Sequence, residues 1–439
     1  MLVETSVPMR RAILICVLLL PAVAIAFGKG SSELLNDIDH PAIQYTIRKL
    51  NDPGARLSFR IQYGERHLKF SGPQGYLRSL LEELDVPIDS QIVVFSKTSF
   101  QSERITPDNP RSLYFNDSTV VGWVRGGPVI EVAAEDPKQG MIFYKMGQRP
   151  DEPANLYRDP NCLSCHITTE NLGMPGTIMR SVFPGFDGAP VTPAGSFFTD
   201  DRSPFSQRWG GWYVTGLSGS AQHMGNEYSD EAGQLHPFIE GPTQNLNSLK
   251  GLFDTDQYLS PYSDVVALMV FEHEMHMMNL FTQVGWKTRL ALYQQETDPS
   301  PSNQRETEHV LRETSRELVD YMLFVDEVPL SGKVQGTSGF AEEFAKRGPD
   351  DSEGRSLRQF DLEHRLMRYP LSFMIYSDAF DGLPDEVKDA VYRRMWEILS
   401  GRERSRRYAK LTLADREAIV GILRGTKRRL PGYFQGIVR

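Results

Sequence analysis

The stretch Asn161-Cys162-Leu163-Ser164-Cys165-His166 constrains this chain more than any other. Two thiols separated by two residues can each form a thioether with one vinyl group of a single haem, and the adjoining imidazole can ligate the iron. The 439 residues include three cysteines. The third, Cys16, lies in an apolar leader, so both cysteines outside that leader belong to this one pentad. It reads as a haem c attachment site.

Two other chemistries use paired thiols. A thioredoxin-like redox motif requires a βαβ setting, which the flanking sequence does not supply, and it would leave His166 incidental. A structural zinc site requires four ligands, and no further cysteine remains to complete one. The pentad resembles that of the c-type cytochromes. That resemblance implies one covalently attached haem c, with Cys162 and Cys165 as anchors and His166 as proximal axial ligand. The chain as a whole looks like large exported bacterial cytochrome c-like proteins to which no reaction is assigned. It departs from small class I cytochromes c in the long strand-rich stretch before the motif and the helical half after it. It departs from di-haem peroxidases in carrying one such motif where they carry two.

The N-terminus reads as a Sec-type signal peptide over residues 1–26: Arg10 and Arg11 precede an almost wholly apolar run from Ala12 to Ala26, and Ala24-Ile25-Ala26 offers a small-x-small cleavage site. The run is short for a membrane span, so a membrane role arises only if the segment is uncleaved. Met9 is an alternative start, because Glu4 sits oddly ahead of a positive n-region. Twin-arginine export of a folded protein conflicts with the resemblance, since c-type haem is attached after the unfolded chain has crossed. A bacterial periplasm, or the outer face of the cytoplasmic membrane, is the expected compartment. A net charge of −9 speaks against a nucleic-acid partner, which calls for a basic face. A periplasmic redox protein is the expected partner.

The expected fold is α+β, with a sheet-containing N-terminal region (27–150), a loop-rich haem segment (151–261) and a helical C-terminal region (262–439). A helix is predicted within Ser31–Lys49, strands at Leu57–Tyr63 and His67–Phe70, and a helix at Tyr76–Leu84. Five short apolar runs, at Ile92–Phe95, Ser112–Phe115, Val120–Val124, Val129–Val132 and Met141–Tyr144, are divided by turn residues and predict an antiparallel sheet. Helices are expected at Ser263–Trp286, Leu311–Phe324, Phe360–Met374, Asp385–Leu399 and Leu413–Gly425. The Gly- and Trp-rich stretch from Arg202 to Gly216 suits the wall of a flat macrocycle, with a loop-rich surface and a few buried tryptophans as the plain alternative.

What the iron can do depends on its sixth ligand. His223 is the leading candidate, with Met224 beside it and Met174, eight residues beyond His166, as alternatives. Met179, His273 and His276 complete the set. The two helical histidines fall on the apolar stripe of their helix, where core packing is the expected role and a metal site with Glu272 the rival. Downstream of the motif, Arg180, Arg202 and Arg208 are the candidate cations for haem propionates. The expected function is haem binding and one-electron transfer. Two alternatives stand beside it: a haem enzyme acting on a small oxidant, peroxidase-like or nitrogen-oxide reductase-like, with His223 or His276 as acid/base, and a haem-based sensor.

Overall fold

The computed structural model describes residues 38–439. The leader, Cys16, Met9 and the first part of Ser31–Lys49 lie outside them. The fold is α+β. Its spine is a seven-stranded antiparallel sheet covered on both faces.

Residues 38–49 form turns rather than the expected helix. Helix α1 (Pro53–Gln62) occupies most of what reads as a strand. The local signal that wins is Asp52-Pro53: the Asp52 carboxylate accepts from Ala55 N at 2.9 Å and proline fits the first helical position. Such a cap is worth about 1 kcal/mol. The alternating Phe59, Ile61 and Tyr63 then fall mostly on the outside, and His67–Phe70 is irregular. Helix α2 (Leu77–Glu83) lies where expected.

The five predicted strands are present as β1 (Ile92–Val94), β2 (Arg111–Asn116), β3 (Thr119–Val124), β4 (Val129–Asp136) and β5 (Gly140–Gly147). They pair in sequence order through Ile92↔Leu113, Tyr114↔Val121, Val121↔Val132 and Ala133↔Phe143. Both edges of the sheet come from the loop-rich segment: β6 (Tyr157–Arg158) adds to β5, and β9 (Trp212–Tyr213) adds to β1. The strand order is therefore β6-β5-β4-β3-β2-β1-β9. One face carries Val93, Tyr114, Trp123, Val132 and Tyr144 against Leu57, Leu77, Leu80 and Leu81 of α1 and α2. The other carries Ile92, Leu113, Phe115, Ala133, Met141 and Phe143 against the C-terminal helices. Because successive side chains alternate between two covered faces, the strands read as near-continuous apolar runs.

Between the edge strands lie the single-turn helix α3 (Leu163–His166) and the hairpin of β7 (Arg180–Val182) with β8 (Ser196–Phe198). After β9, the short strands β10 (Leu217–Ser218), β11 (Glu227–Ser229) and β12 (Leu235–Pro237) lead to α4 (Val265–Thr297). Helix α4, with 33 residues, runs well past the expected end at Trp286, since nothing breaks it before Asp298. Its start is fixed by Asp264, which accepts from Val266 N and Ala267 N. It is buried nearly all round, as a helix through the middle of a domain must be.

Helix α5 (Pro301–Met322) begins ten residues before Leu311, because Ser300 caps it and Pro301 is its first residue rather than part of a loop. Beyond β13 (Val334–Gln335) and α6 (Phe340–Ala345), the expected helix at Phe360–Met374 is absent. There Asp361 and Leu362 bond back to Leu366 and Arg365, Phe360 bridges Met367, and Pro370 interrupts the span. Helices α7 (Asp378–Asp381), α8 (Asp385–Leu399) and α9 (Leu413–Thr426) complete the layer, the last two as expected. Thr412 and Asp415 close a capping box on α9.

Candidate functional site

The cysteines sit on a tight right-handed turn. Asp159 accepts from Asn161 N at 2.9 Å, Pro160 opens a 3₁₀ turn that ends at Cys162, and α3 follows at once. Residues three and four apart share a helical face, so Cys162, Cys165 and His166 project from the same side. Both thiols are free; Cys162 is half-buried against the core and Cys165 is exposed. Burial pushes the Cys162 thiol up, so it is protonated at neutral pH.

The imidazole is held by backbone. Nδ1 of His166 lies 2.8 Å from the Gly176 carbonyl, and Gly176 N donates to His166 O at 3.0 Å. A carbonyl can only accept, so Nδ1 carries the proton and Nε2 the lone pair. Burial lowers the imidazole pKa, which keeps the ring neutral. Asn171 closes the loop by donating to His166 O at 2.6 Å and to Gly176 O at 3.3 Å. The Phe143 ring of β5 packs on the imidazole with centroids 4.4 Å apart. Among the described residues, Nε2 has no hydrogen-bond partner. A metal-ligating histidine has this form: one nitrogen tied to a carbonyl, the other offered.

The sheet end beside the turn is charged. Arg111 of β2 pairs with Glu131 of β4 at 2.5 Å, and both act on His166. Lys145 of β5 pairs with Asp159 and holds its ammonium 3.3 Å from the centroid of the exposed Phe100 ring. Two thiols at i, i+3, a neutral imidazole with Nε2 offered and an exposed phenyl ring suit a haem, while the two cations beside them are already paired with Glu131 and Asp159. The residues present therefore fit the group.

The three candidate arginines downstream of the motif have other roles. Arg208 is buried and committed: Nη1 meets Glu272 Oε2 at 3.0 Å, while Nη2 and Nε donate to Asp201 O and Ser203 O. It is not free for a propionate. Arg202 is held by Asp200 and lies over the Tyr321 ring, and Arg180 is exposed beside Phe198. Nor do the aromatics of Arg202–Gly216 wall the pentad. Trp209 and Trp212 belong to one core and Tyr213 to the other, because this stretch docks as β9 on β1.

None of the leading distal candidates is brought to Nε2. Met174 is fully buried in the core on the α1–α2 side of the sheet, and its loop closes on the Nδ1 edge of His166. Met224 donates its N–H to Arg208 O, and its sulfur accepts from Ser181 Oγ at 3.7 Å. His223 packs on Trp209 at 5.4 Å and accepts from Gly225 N at Nδ1. Burial lowers its pKa to about 3, so it is neutral. This pair lies beside β9, whereas His166 stacks on β5, five strand positions away in the sheet. At about 4.8 Å per strand that is roughly 24 Å.

The helical histidines of α4 are interior groups. His273 lies between Asp201 and Ser372, with Nδ1 3.2 Å from Asp201 Oδ2 and Nε2 2.7 Å from Ser372 Oγ, and stacks on Phe324. The alignment has the order of a hydrolytic triad, but all three side chains are buried and Ser372 accepts from Met374 N as a helix cap. It is a polar brace inside the core. His276 borders a cavity of about 130 Å³ with Glu170, Thr177, Asp200, Met275 and Asn279. Burial lowers its pKa to about 4, and Nε2 lies 3.2 Å from Arg202 Nη2. Glu272 lines the same cavity, but its carboxylate is taken up by Arg208 and by Thr199 Oγ1 at 2.6 Å. Among the described residues no cluster of three or more His, Cys, Asp or Glu side chains is placed to hold a metal ion, and no helix is long and apolar enough to cross a membrane.

Comparison of the chain with protein-family models, with curated proteins and with solved structures finds no match.

Proposed function

We propose that the chain carries one haem c, bound covalently through Cys162 and Cys165 and ligated by Nε2 of His166, and that it passes single electrons to or from a redox protein in the bacterial periplasm. The observation that carries this reading is the tautomer at His166, the residue directly after the second thiol: Nδ1 is bound to the Gly176 carbonyl while, among the described residues, Nε2 has no hydrogen-bond partner. The group, when bound, supplies a one-electron ferric/ferrous couple. The chain's own residues orient and tune it. Gly176 holds the imidazole, Asn171 bonds the same carbonyl, and Phe143 packs on the ring. The test is to produce the full chain in a host that matures c-type haem and to extract denatured protein with acidified organic solvent. The pigment is expected to stay with the polypeptide; if it all passes into the solvent, the reading fails.

A second reading, a haem protein open to small ligands or oxidants, is favoured by one observation. His223, Met224 and Met174 all lie away from Nε2. On that basis, His223→Ala is expected to leave the visible spectrum unchanged while lowering thermal stability, since it removes a ring packed on Trp209. Carbon monoxide is expected to bind the reduced wild type rapidly. A low-spin, carbon monoxide-resistant wild type that becomes high-spin in His223→Ala would restore His223 as the sixth ligand.

A further inference from the structure

We propose that Asn279, in the middle of α4, is a positioning residue of the haem site: from the opposite side of the loop it sets the peptide whose carbonyl holds Nδ1 of His166. The inference rests on His166 being the iron ligand.

The contact is close and two-sided. Asn279 Nδ2 donates to Thr177 O at 2.7 Å, gripping the residue after Gly176. Asn279 Oδ1 faces Gly176 itself: a Cβ built there would strike Oδ1, stand 2.9 Å from Asn279 Cγ and 3.5 Å from Nδ2, and those are its three nearest neighbours. That oxygen is buried and, among the described residues, has no hydrogen-bond partner. An unpaired buried acceptor costs about 1–3 kcal/mol, so the contact is not explained by the stability it brings to the core. Gly176 does not take a left-handed φ, and so the backbone conformation does not call for glycine. Closeness to Asn279 does. Asn171 shares the Gly176 carbonyl with His166. That carbonyl is thus bonded by one amide within the loop, while the amide from the central helix abuts the Gly176 Cα and bonds the next carbonyl along, Thr177 O, which ties the proximal ligand's support to the most deeply buried element of the fold.

A hydrogen bond from Nδ1 to a carbonyl makes the imidazole a stronger donor to iron and favours the ferric state. Moving the carbonyl away weakens that bond and favours the ferrous state. Gly176→Ala is therefore expected to raise the reduction potential, by about tenfold in the ferric/ferrous equilibrium or about 59 mV for a one-electron couple. The double variant Gly176→Ala/Asn279→Ala, in which the obstructing amide is gone, is expected to return most of the way to wild type. Asn279→Ala alone is expected to raise the potential less than Gly176→Ala. A role confined to packing predicts another pattern: lower thermal stability in each variant with the potential unmoved.

The experiment is potentiometric titration of the holoproteins, with covalent haem content and thermal unfolding measured on the same samples. Haem attached throughout, a raised potential in Gly176→Ala and recovery in the double variant bear the inference out. Haem attached but an unmoved potential, or no recovery, overturns the role of Asn279 and leaves the haem reading standing. Absence of covalent haem in wild type removes that reading and the inference with it. Should Gly176→Ala fail to accumulate, Asn279→Ala decides alone, and an unmoved potential there overturns the inference.

Discussion

Alanine at both Cys162 and Cys165 is expected to abolish covalent pigment, so that every trace of haem leaves the denatured chain on acidic extraction. Alanine at either one alone is expected to leave a single thioether, with the pigment retained at lower yield and its visible bands displaced because one vinyl group stays unsaturated. The physical basis is that α3 presents both sulfurs on one face with no disulfide between them. His166→Ala removes the ligand and not the anchors, so some attachment is expected to persist with a high-spin spectrum. Equal pigment retention in wild type and in the double cysteine variant would remove the account of this site.

The largest stability effect is expected at Arg208. Its guanidinium and the Glu272 carboxylate are both buried, 3.0 Å apart, and burial pushes Glu272 up from its ordinary 4.5 to about 7 despite the Arg208 charge. Arg208→Ala strands that carboxylate and is expected to cost about 3–5 kcal/mol at neutral pH. Replacing both partners by apolar residues of similar volume is expected to recover most of that loss. The pH dependence has a definite sign. A carboxyl whose folded pKa is raised contributes stability that is full below about pH 4.5 and is lost as pH rises through about 7. Without the guanidinium the folded pKa rises further, so the gap between wild type and Arg208→Ala is expected to widen from pH 5 to pH 8. Urea unfolding at the two pH values measures it, and an equal gap at both would show that Glu272 is not the group responsible.

The central strands were legible because each is a short apolar run closed by Asn, Asp, Gly or Pro, and β1 to β5 follow those runs closely. Helices α8 and α9 were legible from their period. Leu57–Tyr63 was misread because alternation was weighed above Asp52-Pro53, a start signal that fixes the backbone more directly. The early start of α5 was missed in the same way at Ser300-Pro301. At the site, the pentad itself was plain in the sequence, whereas its surroundings were not. Asn171 and Gly176 close the loop directly after the pentad, Phe143 comes from β5 and Asn279 from α4 by tertiary contact, and no local pattern marks any of them. Placing His223 near the iron assumed that the glycine-rich stretch folds back over the motif. It pairs instead with β1, at the far edge of the sheet.

That arrangement sets an order for assembly. Strands β1 to β5 are joined by turns between sequence neighbours and can zip together from residues 92–147 alone. Strand β6 ends four residues before Cys162, and β9 joins from the other side of the attachment loop. The pentad can therefore hang clear of a half-built sheet, open to attachment of the proposed haem, until docking of the two outer strands encloses it. In pulsed hydrogen exchange during refolding, amides at 157–158 and 212–213 are expected to gain protection after those of the inner hairpins; simultaneous protection would mean that the chain must be loaded before any of it folds.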